Sequence, residues 1–292
     1  MHVLLQACIL GVLTGAVYAL MASGLTIAFG VMRVINVAQG ALIILGAYLS
    51  YELFVRLQID PFLSILVLTP LTFLLGVGLQ LVFIRPLRSD EREELSLLVT
   101  WAIALGIEGV LSVLFSTTYR STSPSYADNS WVIGGYHFSE VRVFAFALSL
   151  GLLALLFVLL GFTRLGRAIR ATVQNPTSAR LLGVNGDIVS AIGFGLSVAT
   201  ATAAGAVYGI IFPFNPGSHY DLISRVLSII VLGGLGSLGG AVVAALFMGV
   251  LEAVFAVEIS PEWSAFVFFV VLIGMLVVRP QGLFGSTVRG SL

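Results

Sequence analysis

The sequence contains no lysine. All 14 of its basic residues are arginines, and they balance 14 Asp and Glu. A phosphate-binding loop of the form G-x-x-x-x-G-K-[ST] needs its lysine to reach the phosphates. The chain is therefore not itself a P-loop ATPase. A net charge of zero at pH 7 selects neither an acidic nor a basic partner, and nothing points to nucleic acid. Cys8 is the only cysteine, so no disulfide can form within the chain. His2, His137 and His219 are far apart and isolated, and no Cys/His spacing suits a metal. Ser/His, paired-Asp and metal constellations at membrane depth are also missing, which argues against an intramembrane enzyme. Only 10% of residues are charged, against about 25% in soluble domains.

What the chain has is apolar length. It is 59% hydrophobic, with a mean hydropathy of +1.09. Runs of about 20 apolar residues make helices that cross about 30 Å of hydrocarbon. Such runs cover 4–30, 36–56, 61–84, 95–117, 142–162, 188–212, 223–256 and 263–279. The sequence thus predicts an all-α polytopic membrane protein of about eight hydrophobic segments, some broken at glycine, forming one transmembrane domain over 1–292. The N-terminal MHVLLQACILG lacks the positive region of a cleaved signal peptide and is read as part of the first span. The first and seventh runs are too long for one straight helix. GGLGSLGG at 233–240 predicts a break in the seventh. Breaks of this kind are tolerated where protein or a cavity covers the freed backbone groups.

Positive residues place the cytoplasmic side. Arg164, Arg167, Arg170 and Arg180 put 163–187 inside, with Arg85, Arg88, Arg92, Arg279 and Arg289. The 118–141 loop, with Arg120, Tyr126, Trp131, Tyr136 and Phe138, goes outside. Three runs separate 163–187 from the tail, so both lie inside only if 223–256 enters and leaves from the outer face, turning at 233–240. Gly11/Gly15, Gly205/Gly209 and Gly236/Gly240 are GxxxG pairs, which predict close helix packing.

Residues 166–187, GRAIRATVQNPTSARLLGVNGD, are the polar exception. Asn175-Pro176 is a helix start, with Asn capping free N–H groups and Pro at the first helical position. Gly183 is a helix stop. Ala179 and Leu182 are placed on one face of the helix between them. Gly166–Val173 forms a second short helix with Arg167 and Arg170 on one side. A snorkelling arginine cluster explains the charges alone; a surface for a partner also explains the caps.

Polar residues inside apolar runs are the other candidates. Glu108 and Glu252 are carboxylates at membrane depth, which either serve a path or hold helices together by pairing. Asn36 is read as the cap of the 36–56 helix, and Gln39 as facing a path or bonding across helices. Gln80 and Arg225 are read as interfacial or bundle-facing. Glycine breaks often sit near a transport path, which adds Gly40, Gly234 and Gly236 to Asn36, Gln39, Glu108 and Glu252 as path candidates.

Four stretches carry a family resemblance. GRAIRATVQNPTSARLLGVN resembles the cytoplasmic coupling loop of ABC importer permeases of the branched-chain amino acid family. ALMASGLTIAFGVMRVINVAQGALIILGAY (19–48) is similar to the N-terminal signature of LivH-type permeases. VLGGLGSLGGA (231–241) and VRPQGLFG (278–285) also match, in order. The resemblance implies an assembly: a second permease, of the diverged LivM type, two cytoplasmic ATPases that bind ATP and Mg, and an external solute-binding protein that delivers amino acids. No cofactor is implied on this chain. The inner membrane of a bacterium is the implied location. Arg167, Arg170, Gln174, Asn175, Ala179 and Gly183 would then contact or shape the coupling joint. The family often has an aromatic residue and a His within N-x-A-x-G, where this chain has Asn36-Val37-Ala38-Gln39-Gly40, so urea or short amides stay open as cargo. An ion-coupled secondary transporter using Glu108 or Glu252 is the reading from a different class. The remaining interior, small and apolar, suits a cargo held weakly.

Overall fold

The computed structural model describes residues 2–32, 34–87, 92–127, 129–279 and 281–284. Arg88 and Arg289 lie outside them, as does the side chain of Arg92.

The first apolar run forms one unbroken helix, α1 (His2–Met32), about 46 Å long at 1.5 Å per residue. The expectation that 4–30 exceeds one helix is corrected. Gly11 and Gly15 let α10 (Leu238–Glu258) lie against its backbone, with Gly249 facing Gly11 and Ala245 and Leu246 facing Gly15. Small residues at a helix crossing replace side-chain bulk with close backbone contact. The chain then turns back, and α2 (Gln39–Leu57) starts about halfway along α1, where Gln39 Nε2 donates to the Met21 carbonyl.

The two ends of the bundle are chemically distinct. At one end the antiparallel β1 (Ser130–Ile133) and β2 (Tyr136–Ser139) form a hairpin. Gln6 of α1 bonds the backbone of His137 there. Asp60 caps α3 (Pro61–Leu79) and accepts from Tyr126 Oη at 2.6 Å. Burial, then the hydrogen bond to Asp60, push the Tyr126 phenol well above its ordinary value. Helix α3 continues through a π-turn at Gln80–Ile84 to the other, basic end. Arg85 pairs there with Asp187 at 3.1 Å.

From the basic end α4 (Arg92–Phe115) returns to the hairpin end, and α5 (Glu140–Phe162) runs back down. Two short helices, α6 (Arg164–Gln174) and α7 (Pro176–Leu181), cover the basic end. Then α8 (Gly186–Ile211) rises through the centre, nearly all of it buried. At its top Phe214 and Arg120 exchange backbone hydrogen bonds. The chain dips through Pro216–Ser218 to mid-depth, where α9 (His219–Gly233) begins and runs to the basic end. After a turn there, α10 rises and α11 (Pro261–Val278) descends. Leu283 and Phe284 donate to the carbonyls of Leu232 and Gly233, so the tail closes on the basic end.

Segments α1–α4 and α8–α11 therefore follow one order in opposite directions: a long helix, a return to mid-depth, a half-helix outward, then two crossings. Inverted repeats with interrupted helices are a transporter architecture. The run 223–256 turns at 233–240 as expected, and the tail and 163–187 share one end. The breaks that the two halves share are 34–38 and 212–218, and the 233–240 turn lies at the basic end. Gly236/Gly240 is no helix-packing pair, because Gly236 sits in the turn with φ +82°. Among the described residues, seven helices are long and apolar enough to cross a membrane, and Phe266–Val278 is a shorter apolar helix.

Candidate functional site

The starts of α2 and α9 meet at mid-depth. A methyl group on Gly40 would overlap the His219 carbonyl oxygen and crowd Ile223, so only glycine permits this contact. Around it the two sides differ. Asn36 and Gln39 are both 0% exposed. Gln39 Oε1 accepts from Ser197 Oγ at 3.2 Å and from Asn36 Nδ2 at 3.4 Å. Gln39 thus ties α1, α2 and α8 together and does not face open space. The expectation that Asn36 caps α2 is corrected: Ala38 is the N-cap, without a side-chain bond, because the helix starts at Gln39. Asn36 Oδ1 is buried with no partner among the described residues.

On the α9 side Tyr220 and Asp221 are exposed, with Glu108, Arg225 and Glu252 part-buried beside them and His219 buried. Glu108 of α4 contacts His219 Nε2 at 3.1 Å and accepts from Tyr220 Oη at 2.9 Å. His219 is therefore not isolated. Trp101 lies 5.9 Å from the Tyr220 ring. One turn on, Arg225 Nε donates to Asp221 at 2.9 Å. Its Nη1 donates to Glu252 of α10 and to Tyr18 Oη of α1, the latter at 2.9 Å. Tyr18 Oη donates to Glu252 at 2.8 Å. Arg225 is thus bundle-facing, and Glu252 is a paired carboxylate linking α1, α9 and α10. Exposed Tyr220 and Asp221 at membrane depth cannot be left to lipid cheaply, since intramembrane polar groups face protein or water.

Sequence reading missed Tyr18, Arg142, His219, Tyr220 and Asp221. The signal lies in FPFNPGSHYD (212–221), where two prolines, Asn and Gly interrupt an apolar run beside three polar side chains. Gly234 and Gly236 fall away from mid-depth. Gly234 (φ +97°) packs against Gly282, and Gly236 lines a cavity of about 360 Å³ at the basic end with Gly30, Arg170 and Gln174.

The basic segment is built as its sequence indicates. Thr163 caps α6, accepting from Gly166 N at 3.1 Å. Asn175 Oδ1 caps α7, accepting from Ser178 N at 3.0 Å. Gly183 ends the segment at φ +84°. Arg170 donates to the carbonyls of Leu160 and Gly161, and Arg167 to that of Phe162. These arginines tie α6 to the end of α5. Ala179 and Leu182 do not share a face: Ala179 is buried, while Leu181 and Leu182 are 85% and 82% exposed.

A family model described as "Branched-chain amino acid transport system / permease component" matches residues 8–276. The chain belongs to this family. The permease is 31% identical over 302 residues to the high-affinity branched-chain amino acid transport system permease protein LivH of Salmonella typhimurium, covering 96% of this chain and 95% of that one. It is equally similar to LivH of Escherichia coli. BraD of Pseudomonas aeruginosa is 29% identical over 301 residues, with the same coverage. No solved structure matches. The permease is a multi-pass membrane protein and one component of a transport system, which other chains complete.

Proposed function

We propose that this permease forms, with a second and diverged permease, the path for branched-chain or related amino acids through the bacterial inner membrane. Two cytoplasmic ATPases binding ATP and Mg drive it, and an external binding protein feeds it. The observation that carries this beyond the family is the α6–α7 segment. It is tied to α5 by arginine bonds to carbonyls, yet presents Leu181 and Leu182 bare at the basic end. Apolar side chains exposed on a capped, anchored helix fit a groove on a soluble partner. Arg167, Arg170, Gln174, Asn175, Ala179 and Gly183 then set the shape of the coupling joint, and the leucines make the contact.

The test is recovery of the tagged protein in mild detergent, followed by uptake in proteoliposomes. Recovery of Walker-motif ATPases and a second permease, with their loss on Leu181→Asp/Leu182→Asp, supports the reading. Recovery of this chain alone across detergents, with solute uptake driven by an ion gradient, replaces it with the ion-coupled transporter. Uptake of labelled leucine against labelled urea by the full complex separates the two cargo classes.

A further inference from the structure

A cavity of about 320 Å³ opens toward the hairpin end between α1, α5 and α10. Its polar lining is Thr14, Arg142 and Glu252; Leu10, Phe212 and Ala256 contribute to the apolar remainder. Pockets for small molecules begin at about 300 Å³ and combine apolar walls with a few placed polar groups. Two carboxylates and two arginines lie in and beneath it, but they are not shared evenly. Arg225 takes both Asp221 and Glu252. Arg142 is left with a neutral hydroxyl, Thr14 Oγ1 at 2.9 Å, and the face of Phe212 at 5.6 Å. Among the described residues it has no ion-pair partner. A part-buried cation without an anion is an unfavourable arrangement that a bound carboxylate relieves.

Helix α1 sets the spacing. Arg142 is anchored on Thr14 and Glu252 on Tyr18. These positions are four apart on one face of α1, so the guanidinium and the carboxylate are both held at the wall of the same cavity. A carboxylate and an ammonium on the same carbon fit between two such groups.

We propose that this cavity is a binding site for the zwitterionic head of an α-amino acid, with Arg142 taking its carboxylate and Glu252 its ammonium. The apolar walls take an aliphatic side chain. The proposal rests on the permease reading above and adds a site within this chain. Arg142 binds the carboxylate through its free N–H groups, and Glu252 accepts the ammonium while keeping Arg225 and Tyr18.

The test uses the purified complex without its binding protein, and displacement of labelled leucine by leucinamide, which lacks the carboxylate, and by 4-methylpentanoate, which lacks the ammonium. Wild type prefers leucine to both. Arg142→Gln weakens leucine about tenfold, the scale of one charged hydrogen bond, and abolishes the preference over leucinamide. Glu252→Gln abolishes the preference over 4-methylpentanoate. Equal weakening of all three ligands, unchanged binding, or a wild type that binds no leucine overturns the site. So does loss of a co-purifying phospholipid on Arg142→Gln with leucine selectivity intact, because the cavity then holds a lipid headgroup. Failure of the full complex with its binding protein to import any amino acid overturns the permease reading itself; import with the variant's selectivity unchanged overturns the site alone.

Discussion

The breaks at 34–38 and 212–218 bring α2 and α9 to the same depth from opposite sides, yet they are filled differently. The first is sealed with neutral groups. Val34, Asn36, Ala38 and Gln39 are all buried, and Thr100 of α4 accepts from the Val37 amide at 3.2 Å. The second opens onto Tyr220, Asp221 and Arg225, with Glu108 and Glu252 facing them from α4 and α10. Interrupted helices free backbone groups that lipid cannot satisfy. The first half answers with buried amides that hold three helices in place. The second half answers beside a part-buried ion pair, Arg225 with Glu252, flanked by exposed Tyr220 and Asp221. Under the proposed function, the first break is the anchor and the second is the working face.

The largest effect belongs to the working face. Glu252→Ala leaves Arg225 without its buried partner and removes the acceptor of Tyr18. Breaking one side of a buried pair costs about 3–5 kcal/mol. Thermal unfolding in detergent reads this, and an Arg225→Met/Glu252→Leu double variant should recover much of it. A cost near zero for Glu252→Ala would mean that the two halves are not distinguished by charge.

At the junction, Gly40→Ala forces a methyl against the His219 carbonyl and Ile223. Overpacking of this kind costs about 1–3 kcal/mol. It should also separate α2 from α9 and lower uptake more than stability. An Ala variant with wild-type uptake and unfolding temperature would show that the half-helices tolerate a gap there.

The segment order of this molecule was legible because apolar length and glycine breaks are local signals. The ends of α7 were legible for the same reason: Asn175 and Gly183 act on their own neighbours; the Thr163 cap of α6 was not read, although it is equally local. The pairing of Glu108 with His219 was not, since 111 residues separate them. Nor was the spacing of Arg142 and Glu252, which exists only because α1 passes beside both. GGLGSLGG was legible as the break in the 223–256 run and forms the turn between α9 and α10, whereas the dip to mid-depth is made by FPFNPGSHYD, which was not read as a break. The unbroken α1 was hidden because its length looks excessive until the glycine contacts with α10 are seen.

Smaller effects follow at the basic end. Asn175→Ala removes the cap of α7, worth about 1 kcal/mol. Helix α7 is short, so its loss should appear as ATP hydrolysis uncoupled from uptake, with little change in global unfolding. Normal coupling in this variant would remove α7 from the contact with the ATPases.

The smallest stability effect should come from Glu108→Gln, and it distinguishes the two carboxylates. Glu252 faces a guanidinium, and its side chain is 15% exposed. Glu108 is 24% exposed and is held by a histidine and a phenol. Glutamine keeps one oxygen able to accept from both Tyr220 and His219 Nε2. The loss is that of a charge-assisted bond becoming a neutral one, about 1 kcal/mol or less. Glu252→Gln loses the charge opposite Arg225 and should cost more. Thermal unfolding of the two variants in the same detergent reads the difference, and an equal cost would mean that both faces of α9 depend on carboxylate charge to the same degree.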